Sequence, residues 1–339
     1  MKRLFIVCLL SIVIGAVIGV GSTIIYFYRD FRTPANPSGK PTIFEIRKGA
    51  SLRLIADDLK RHNLIKHTAT IIWSSKLLEL TGDFKAGEYE ISAAMTPEEI
   101  VYLLCSGKVI LYKFTVPEGL TIKDIAEKWE SNGFGSEDDF IQSVLAYHHH
   151  SLDRPPTGWE GYLFPETYYF PKGTTAQSMI EMMIDRFQKE FSDDWLIAGK
   201  THGMNQHELV TLASLVEKET SIPSERPIVS SVFHNRLRLG MLLQCDPTVI
   251  YALGESYTGK LTFDDLEIDN AYNTYQYPGL PPGPIANPGA ESIYAACFPA
   301  DTSFLYFVVK SGGGHEFSTS LSAHNRAVQR YRRQTREMK

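Results

Sequence analysis

The most constraining feature of the sequence is an uncharged run of twenty-five residues near its N-terminus, from Leu4 to Tyr28. A helix of this length rises by about 37 Å and can cross a hydrocarbon core of roughly 30 Å with some tilt. We therefore predict a cytoplasmic tail at 1–3 and a transmembrane signal-anchor at 4–28, with the rest of the chain outside the cytoplasm. A cleaved signal peptide is the alternative, although it normally has a shorter apolar core and an A-x-A-like site.

The rest of the chain has the composition of a water-soluble globular protein. Its 339 residues are 43% hydrophobic and 22% charged, which is enough for more than one domain. The net charge of −5 argues against binding to nucleic acid, whose partners need a basic surface. Four scattered cysteines show neither a zinc spacing nor a disulfide framework. We therefore predict no metal and no cofactor.

A Pro-rich linker, predicted at 29–41, leads into a unit that occurs twice in the sequence. The copies are FEIRKGASLRLIADDL, Phe44 to Leu59, and FTVPEGLTIKDIAEKW, Phe114 to Trp129. Each predicts a short strand, a glycine turn, a hydroxyl N-cap and an amphipathic helix.

The first copy continues into a second apolar segment, about 67–80, and then into a strand over Gly87–Ser92. This strand-helix-helix-strand order resembles a LysM-like module, which predicts a LysM-like βααβ subdomain over 42–112. A small α+β spacer that binds nothing is the alternative. A further helix begins at Thr96, which with Glu99 fits a capping box.

Several enzyme signatures are absent from the sequence. His207-Glu begins like the zinc-protease helix, but Thr211 stands where the second histidine is required. There is no G-x-S-x-G nucleophile motif and no phosphate-binding P-loop. The run His148–His150 is expected to be a solvated loop, because adjacent side chains point in different directions.

A helix predicted over Gln206 to Thr220 carries the most informative carboxylates. Its apolar face consists of Leu209, Leu212, Ala213 and Val216, and Glu217 and Glu219 flank that face. An unpaired buried charge is costly, so we expect one of the two to meet Arg226 or Arg236. The other would be a carboxyl in a partly apolar cleft, with a raised pKa that lets it donate a proton near neutral pH.

Three longer segments carry a family resemblance: ASLVEKETSIPSER, VFHNRLRLGMLLQCDPTVIYAL and AYNTYQYPGLPPGPIANPG. They closely resemble the endolytic murein transglycosylases of the MltG or YceG-like family. EGYLFPETY and LYFV…GGHEFSTSLSAHN also fit, so that the resemblance spans about 40–335 and implies an α+β catalytic domain at 113–335. One departure is Cys245, where the family has Ser or Thr, and it places a free thiol near the predicted site.

The resemblance implies a reaction and a role for each glutamate. Glu217 is then the catalytic acid/base and Glu219 a supporting group. The family cleaves the β-1,4 bond between N-acetylmuramic acid (MurNAc) and N-acetylglucosamine (GlcNAc) without water, and leaves a 1,6-anhydroMurNAc end. One carboxyl can serve both halves of this reaction, whereas a two-acid hydrolase needs a second catalytic carboxylate.

Other residues of these segments suit a sugar-binding cleft, because aromatic rings cover apolar sugar faces and amides bind acetamido groups. The expected supporting residues are Gln244, Asp246 and Asn273, and the expected substrate-binding residues are Tyr272, Tyr275, Glu166, His315 and Asn325. Core packing is the alternative for the two tyrosines, and a structural role is the alternative for His315. Glu166 is the best rival acid.

Together these observations predict an α+β protein with a single N-terminal transmembrane helix, a LysM-like subdomain and a catalytic domain. It would be a single-pass inner-membrane protein with most of the chain in the periplasm. Its partners would be peptidoglycan glycan strands and peptidoglycan synthases (penicillin-binding proteins), with strand termination as its role. A non-catalytic glycan-binding scaffold and a hydrolytic muramidase are the alternatives.

Overall fold

A computed structural model describes residues 2–337 of the chain and the side chains of residues 10–335. The first element is helix α1, Lys2–Phe31. Its segment Leu10–Phe31 contains an 18-residue window with a mean hydropathy of 2.2 and is long and apolar enough to cross a membrane. The side chains of 4–9 lie outside the described residues, so the predicted run 4–28 is described only in part.

The segment predicted as a linker, 29–41, forms hydrogen bonds with later parts of the chain. Helix α1 continues to Phe31, and Asp30 is buried, where it accepts a hydrogen bond from the hydroxyl of Thr70. Farther on, the backbone N–H of Asn36 donates to the carbonyl of Ala93 at 2.9 Å. The chain after the apolar helix is therefore bonded to the unit that follows it.

The internal contacts divide the chain into two compact units. The first runs to Tyr112 and includes Tyr169–Gly173, and the second comprises Lys113–Tyr168 and the residues from Thr174 onward. Nothing in the sequence predicts that Tyr169–Gly173 belongs with the first unit. The domain roles assigned from the sequence stay predictions.

The first unit contains the strand-helix-helix-strand order expected from the sequence. Its elements after α1 are β1 (Pro41–Ile46), α2 (Leu52–Arg61), α3 (Thr68–Leu77), β2 (Gly87–Ser92) and α4 (Pro97–Ser106). Strands β1 and β2 are antiparallel, with Pro41 opposite Ser92 and Ile46 opposite Gly87. A LysM-like identity for this unit stays a prediction.

Local capping explains where the helices of this unit begin. The side chain of Ser51 accepts the N–H of Leu54 at the start of α2, and Thr96 forms the expected capping box with Glu99 at the start of α4. The apolar faces then meet in one core, whose buried members include Phe44, Ile55, Ala56, Leu59, Ile71, Tyr89, Ile91 and Leu104.

The second unit is mostly helical. In chain order the remaining elements are β3 (Leu111–Thr115), α5 (Ile122–Ser131), α6 (Glu137–Ala146), β4 (Thr167–Pro171), α7 (Ala176–Glu190), α8 (Asp193–Thr201), α9 (Gln206–Glu219), α10 (Arg226–Arg238), α11 (Asp246–Leu253), α12 (Ala290–Cys297), β5 (Tyr306–Val309), β6 (His315–Ser318) and α13 (Leu321–Glu337). Strand β3 pairs with β4, and β5 pairs with β6. The second copy of the repeated unit is confirmed, because Thr121 caps α5. Near the C-terminus, β5 and β6 form an antiparallel hairpin.

Helix α9 is the central element of the second unit. It begins at a capping box between Asn205 and Glu208, and all eight residues from Leu209 to Val216 are buried. It packs against α8, α10, α11 and α12. The contact with α8 requires Gly199, because a Cβ there would lie 2.2 Å from Cδ1 of Leu209. The apolar face predicted for this helix is therefore part of a wholly buried stretch, and the helix cannot turn about its axis without loss of packing.

Candidate active site

The two glutamates of interest lie at the carboxyl end of α9, directly after its buried stretch. Side chains two residues apart on an α-helix point in directions that differ by about 200° around its axis. Glu217 and Glu219 therefore face different parts of the unit, and each has its own surroundings.

Glu217 faces the first turns of α10 and α12. Its side chain is 7% exposed, and its Oε2 accepts the backbone N–H of Gly289 at 3.1 Å. Its Oε1 lies 3.5 Å from Nη2 of Arg226, whose side chain is 8% exposed. The same guanidinium pairs with Glu118 at 3.2 Å and with Glu291. Glu217 is therefore the glutamate that meets an arginine.

This cluster is dominated by negative charge, because three carboxylates surround one guanidinium. Burial raises the pKa of Glu118, and the charge of Glu217 raises it further. Among the described atoms, Nε of Arg226 is buried and has no hydrogen-bond partner. The sequence analysis did not identify Glu118 or Glu291, since neither is close to α9 in the chain.

Glu219 is half-buried and faces the start of α11. The thiol of Cys245 donates to its Oε1, with Sγ and Oε1 3.0 Å apart. Burial raises the pKa of Glu219 to about 7, and Asp246 also raises it, while the Cys245 hydrogen bond, His315 and Arg236 act in the opposite direction. Glu219 therefore holds and releases a proton close to neutral pH.

Cys245 is a buried hydrogen-bond donor. Burial raises the pKa of its thiol well above the usual range, and the nearby Glu219 raises it further. Its backbone N–H donates to Oγ1 of Thr274 at 3.0 Å, and the N–H of Gln244 donates to the carbonyl of Thr274 at 3.1 Å. Because the thiolate is the reactive form of cysteine, this thiol serves as a donor and not as a nucleophile.

Asp246 and Tyr275 lie near Glu219, and Asn273 belongs to the loop that carries Tyr275. Asp246 is exposed and accepts a hydrogen bond from the hydroxyl of the half-buried Tyr275. Asn273 is fully buried; its amide donates to the carbonyls of Leu266 and Ile268, and its Oδ1 accepts the N–H of Tyr275. Asn273 therefore holds the loop that presents Tyr275.

His315 and Arg236 complete the surroundings of Glu219. His315 is on β6, where its N–H and Nδ1 lie 2.8 and 2.7 Å from the carboxylate of Glu225. The guanidinium of Arg236 lies 5.1 Å from the ring centre of Tyr306, and its Nε donates to the carbonyl of Leu305 at 2.7 Å. Arg236 therefore acts on Glu219 through its charge, while its hydrogen bonds go to backbone carbonyls.

Four of the residues predicted from the sequence take no part in the contacts described for Glu219. Glu166 is exposed and pairs with Arg186 of α7 at 3.2 Å, and Asn325 is exposed on α13. The ring of Tyr272 packs against that of Tyr251, 5.0 Å away. Gln244 precedes Cys245 with an exposed side chain and a left-handed φ of 48°. Their roles in substrate binding stay predictions.

A third acidic group with a raised pKa is Glu160, to which the sequence analysis gave no role. Burial raises its pKa to about 8. Its carboxyl accepts the N–H of Ile122 at 3.1 Å and Nδ2 of Asn287 at 3.0 Å, at the N-terminus of α5. Such bonds stabilise the start of a helix, so Glu160 joins two segments of the unit.

The prediction of a solvated loop at His148–His150 is wrong for His149, whose side chain is fully buried. Its Nε2 lies 3.0 Å from Oδ1 of Asp185, and its Nδ1 accepts backbone N–H groups from Ser151 and Leu152. Candidate metal-ligand atoms of His149, His150 and Asp185 lie within 4.8 Å of one another. Because Nδ1 is the acceptor, Nε2 carries the proton and offers no lone pair to a metal.

Comparison with known proteins identifies one family and several relatives. The YceG-like family matches residues 44–330. The endolytic murein transglycosylase of Bacillus subtilis (strain 168) is 34% identical over 318 residues, which cover 88% of this chain and 87% of that protein. The endolytic murein transglycosylase of Streptococcus pneumoniae serotype 2 is 30% identical and matches 84% of this chain, but only 57% of its own length.

One solved structure is also similar. The crystal structure of a YceG-like protein from Listeria monocytogenes aligns with a TM-score of 0.57 at 33% sequence identity. The alignment covers 85% of this chain and 98% of that one.

The pKa of Glu219 leads to a prediction about stability. A carboxyl whose pKa is raised in the folded state binds its proton more tightly there than in the unfolded chain, so folding stability falls as pH rises from the unfolded value toward about 7. Glu219→Gln keeps the neutral form and should melt above the wild type at pH 8, by about 2–4 °C for each kcal/mol recovered. The difference should shrink at pH 5, as followed by calorimetry.

Glu217→Gln is the matched control, because it removes one charge two residues away. It leaves the buried Arg226 with less compensation, and its melting temperature should fall at both pH values. A Glu219→Gln variant that melts below the wild type at pH 8 would contradict the raised pKa of Glu219.

Proposed function

The chain belongs to the YceG-like family, and from this we propose that it is a membrane-anchored lytic transglycosylase that cleaves the glycan strands of peptidoglycan. The relatives in Bacillus subtilis and Streptococcus pneumoniae, named endolytic murein transglycosylases, support the reaction class. The observation that carries the proposal within this chain is Glu219, a half-buried carboxyl with a pKa of about 7. A proton donor of this kind is what cleavage of a glycosidic bond requires.

The proposed reaction uses one carboxyl twice. Protonated Glu219 donates its proton to the glycosidic oxygen between MurNAc and GlcNAc, and the C1–O bond breaks. The resulting carboxylate then removes the proton from the C6 hydroxyl of the same MurNAc, and that oxygen closes on C1. The products are a free GlcNAc hydroxyl and a 1,6-anhydroMurNAc end, and no water is consumed. A pKa near 7 populates both protonation states at neutral pH.

The choice of Glu219 differs from the role that the family resemblance assigned to Glu217. Both oxygens of Glu217 are engaged, one by the N–H of Gly289 and one by Arg226, and its side chain is almost fully buried. As whole residues, Glu219 and Glu217 are both half-buried, but the partner bonded to Glu219 is a weak thiol donor. These contacts favour Glu219 as the acid/base and Glu217 as a group that fixes the end of α9. Glu217 remains the alternative.

Two alternative functions make different demands on the same surface. A hydrolytic muramidase of the two-acid type needs a second free carboxylate, and the one beside Glu219 is Asp246, which is already bonded to the hydroxyl of Tyr275. For a non-catalytic glycan-binding scaffold, a raised pKa alone decides nothing, because Glu160 has one in a structural position, bonded to Ile122 and Asn287. Glu219 differs in that the partner bonded to it is the weak donor Cys245, which leaves its carboxyl available for proton transfer. These surroundings support the lytic reaction.

The cellular setting of the proposal rests on α1. We assign Leu4–Tyr28 to an uncleaved anchor in the inner membrane, with the two compact units in the periplasm, where the glycan strands lie. Attachment at the membrane surface places the enzyme where strands are made, so that cleavage would end strand elongation. Peptidoglycan synthases are the expected protein partners in this setting.

The paired glutamate variants test the chemistry. Glu219→Gln should lose about 10²–10⁴-fold in the rate of glycan cleavage, since glutamine keeps the shape of the side chain but cannot transfer the proton. Glu217→Gln should retain most of the activity at a temperature where it is folded. The rates are measured on purified glycan strands by chromatography of the products. The reverse pattern would move the catalytic role to Glu217.

The products separate a lyase from a hydrolase. After borohydride treatment, the product ends should be about 20 mass units lighter than reduced hydrolysis products (~18 for the water not added and ~2 for the hydrogen not taken up), as an acid–base mechanism without water requires. Mass spectrometry of the muropeptides gives this value directly. Reducible ends as the main product would make the protein a muramidase.

The thiol of Cys245 gives a prediction about pH. Its hydrogen bond stabilises the carboxylate form of Glu219, so Cys245→Ala should raise the pKa of Glu219 and move the activity profile to higher pH. Cys245→Ser supplies a stronger hydroxyl donor and should move the profile the other way. The measurement is kcat/KM against pH for both variants, and two unmoved profiles would show that Glu219 does not control the rate.

The anchor is tested separately from the chemistry. A periplasm-dependent reporter fused after Lys339 should be active, and N-terminal sequencing of the mature protein should show that residues 4–28 are retained. A mature chain that begins beyond residue 20 would identify a cleaved signal peptide instead.

A further inference from the structure

A basic pocket lies in the first unit, away from the glutamates of α9. It has a volume of about 590 Å³, which is within the range of small-ligand sites. Its basic lining residues are Lys40, Lys60, His62, Lys66 and His67, and no carboxylate lines it. The segment 29–67 contains nine Lys or Arg against four Asp or Glu, whereas the whole chain carries a net charge of −5. Positive charge is therefore concentrated around this pocket.

The lysines of the pocket are not neutralised by the protein. Within the described part of the chain, Lys40, Lys60 and Lys66 form no ion pair. Other cations of the same unit do find carboxylates: Lys172 lies 2.6 Å from Glu88, and Arg32 lies 3.3 Å from Glu98. Three like charges around one cavity repel one another, and an anion bound in the cavity would remove that repulsion.

The pocket also lies at the end of the apolar helix. His67, one of its lining residues, has Nδ1 3.2 Å from Oδ2 of Asp30 in the last turn of α1. Its ring is 6.0 Å from that of Tyr26. Tyr26 and Tyr28 are exposed, in the position of the aromatic residues that mark the membrane–water interface. If α1 spans the bilayer, the pocket residue His67 lies beside the helix end at the depth of the lipid headgroups.

We propose that this pocket binds the phosphate of an anionic membrane lipid, held by Lys40, Lys60 and Lys66. The inference uses the anchor proposed for α1 and is independent of the glycan chemistry. A phosphate at the bilayer surface supplies the charge that the pocket lacks, at the depth where the pocket lies. The bound headgroup would fix the first unit against the membrane beside the end of α1.

Native mass spectrometry of the full chain in a neutral detergent tests the proposal. The probes are phosphatidylglycerol, phosphatidylcholine with the same acyl chains, and inorganic phosphate. The triple variant Lys40→Gln, Lys60→Gln, Lys66→Gln should bind phosphatidylglycerol about tenfold more weakly, as expected when several lysines act on an anionic lipid. The matched control is Lys48→Gln, Lys76→Gln, Lys108→Gln, which removes three exposed lysines of the same unit outside the pocket and should change binding less than twofold.

Further outcomes decide the assignment. A triple Lys→Arg variant at positions 40, 60 and 66 keeps the charge and should retain binding, which separates loss of charge from loss of fold. Two outcomes would overturn the proposal. One is that the pocket variant and the control variant lose the same share of phosphatidylglycerol binding. The other is that the wild-type protein binds phosphatidylcholine as tightly as phosphatidylglycerol. Inorganic phosphate that displaces the lipid at equal concentration would assign the pocket to free phosphate. Because these measurements need neither a bilayer nor glycan cleavage, they can fail while the lytic reaction stands.

Discussion

The cost of burying charge at the end of a fully buried helix governs the chemistry of this protein. The residues from Leu209 to Val216 contact neighbouring helices on every side, so α9 is fixed in rotation. The two glutamates that follow are thereby held about 200° apart. Neither can move to the other's partner, and each must be stabilised by the groups on its own side. The difference between those groups is the basis on which the proposed reaction gives the two glutamates different roles.

The side of Glu217 is organised around a guanidinium in an unfavourable place. Arg226 begins α10, where the helix dipole gives no support to a positive charge. Three carboxylates supply that support, and one of them, Glu291, lies in the first turn of α12. The same helix end presents the N–H of Gly289 to Glu217. A negative charge on Glu217 is therefore favoured by the helix end and by the guanidinium together.

The fold could be predicted from the sequence wherever the signal was local. The repeated strand-turn-helix unit and the capping box at Thr96 depend on residues a few positions apart, and both are present. The assignment of Tyr169–Gly173 to the first unit depends on contacts between distant segments, and no periodicity reveals it.

The candidate site shows the same limit. The helix wheel predicts that one glutamate meets an arginine, but only the fold shows that Arg226 lies on the side of Glu217. Asn273 looked like a sugar ligand because amides bind acetamido groups, yet its amide is used by three backbone groups of its own loop. His149 was expected in solvent because adjacent side chains of the run His148–His150 point in different directions, but Asp185 comes from α7, far along the chain. In each case the deciding partner is remote in sequence.

In the proposed reaction, Cys245 bears on how readily the carboxyl of this chain exchanges its proton. A lytic reaction takes its nucleophile from the substrate, so the protein needs a group that gives up a proton and then takes one back. A strong hydrogen-bond donor would stabilise the carboxylate, lower its pKa and leave little protonated carboxyl at neutral pH, whereas an apolar wall alone would keep the carboxyl protonated. The buried thiol lies between these limits, because it is a weak donor that stays protonated itself. The pKa of Glu219 is thereby about 7, at which both protonation states that the proposed reaction requires are populated at the same pH.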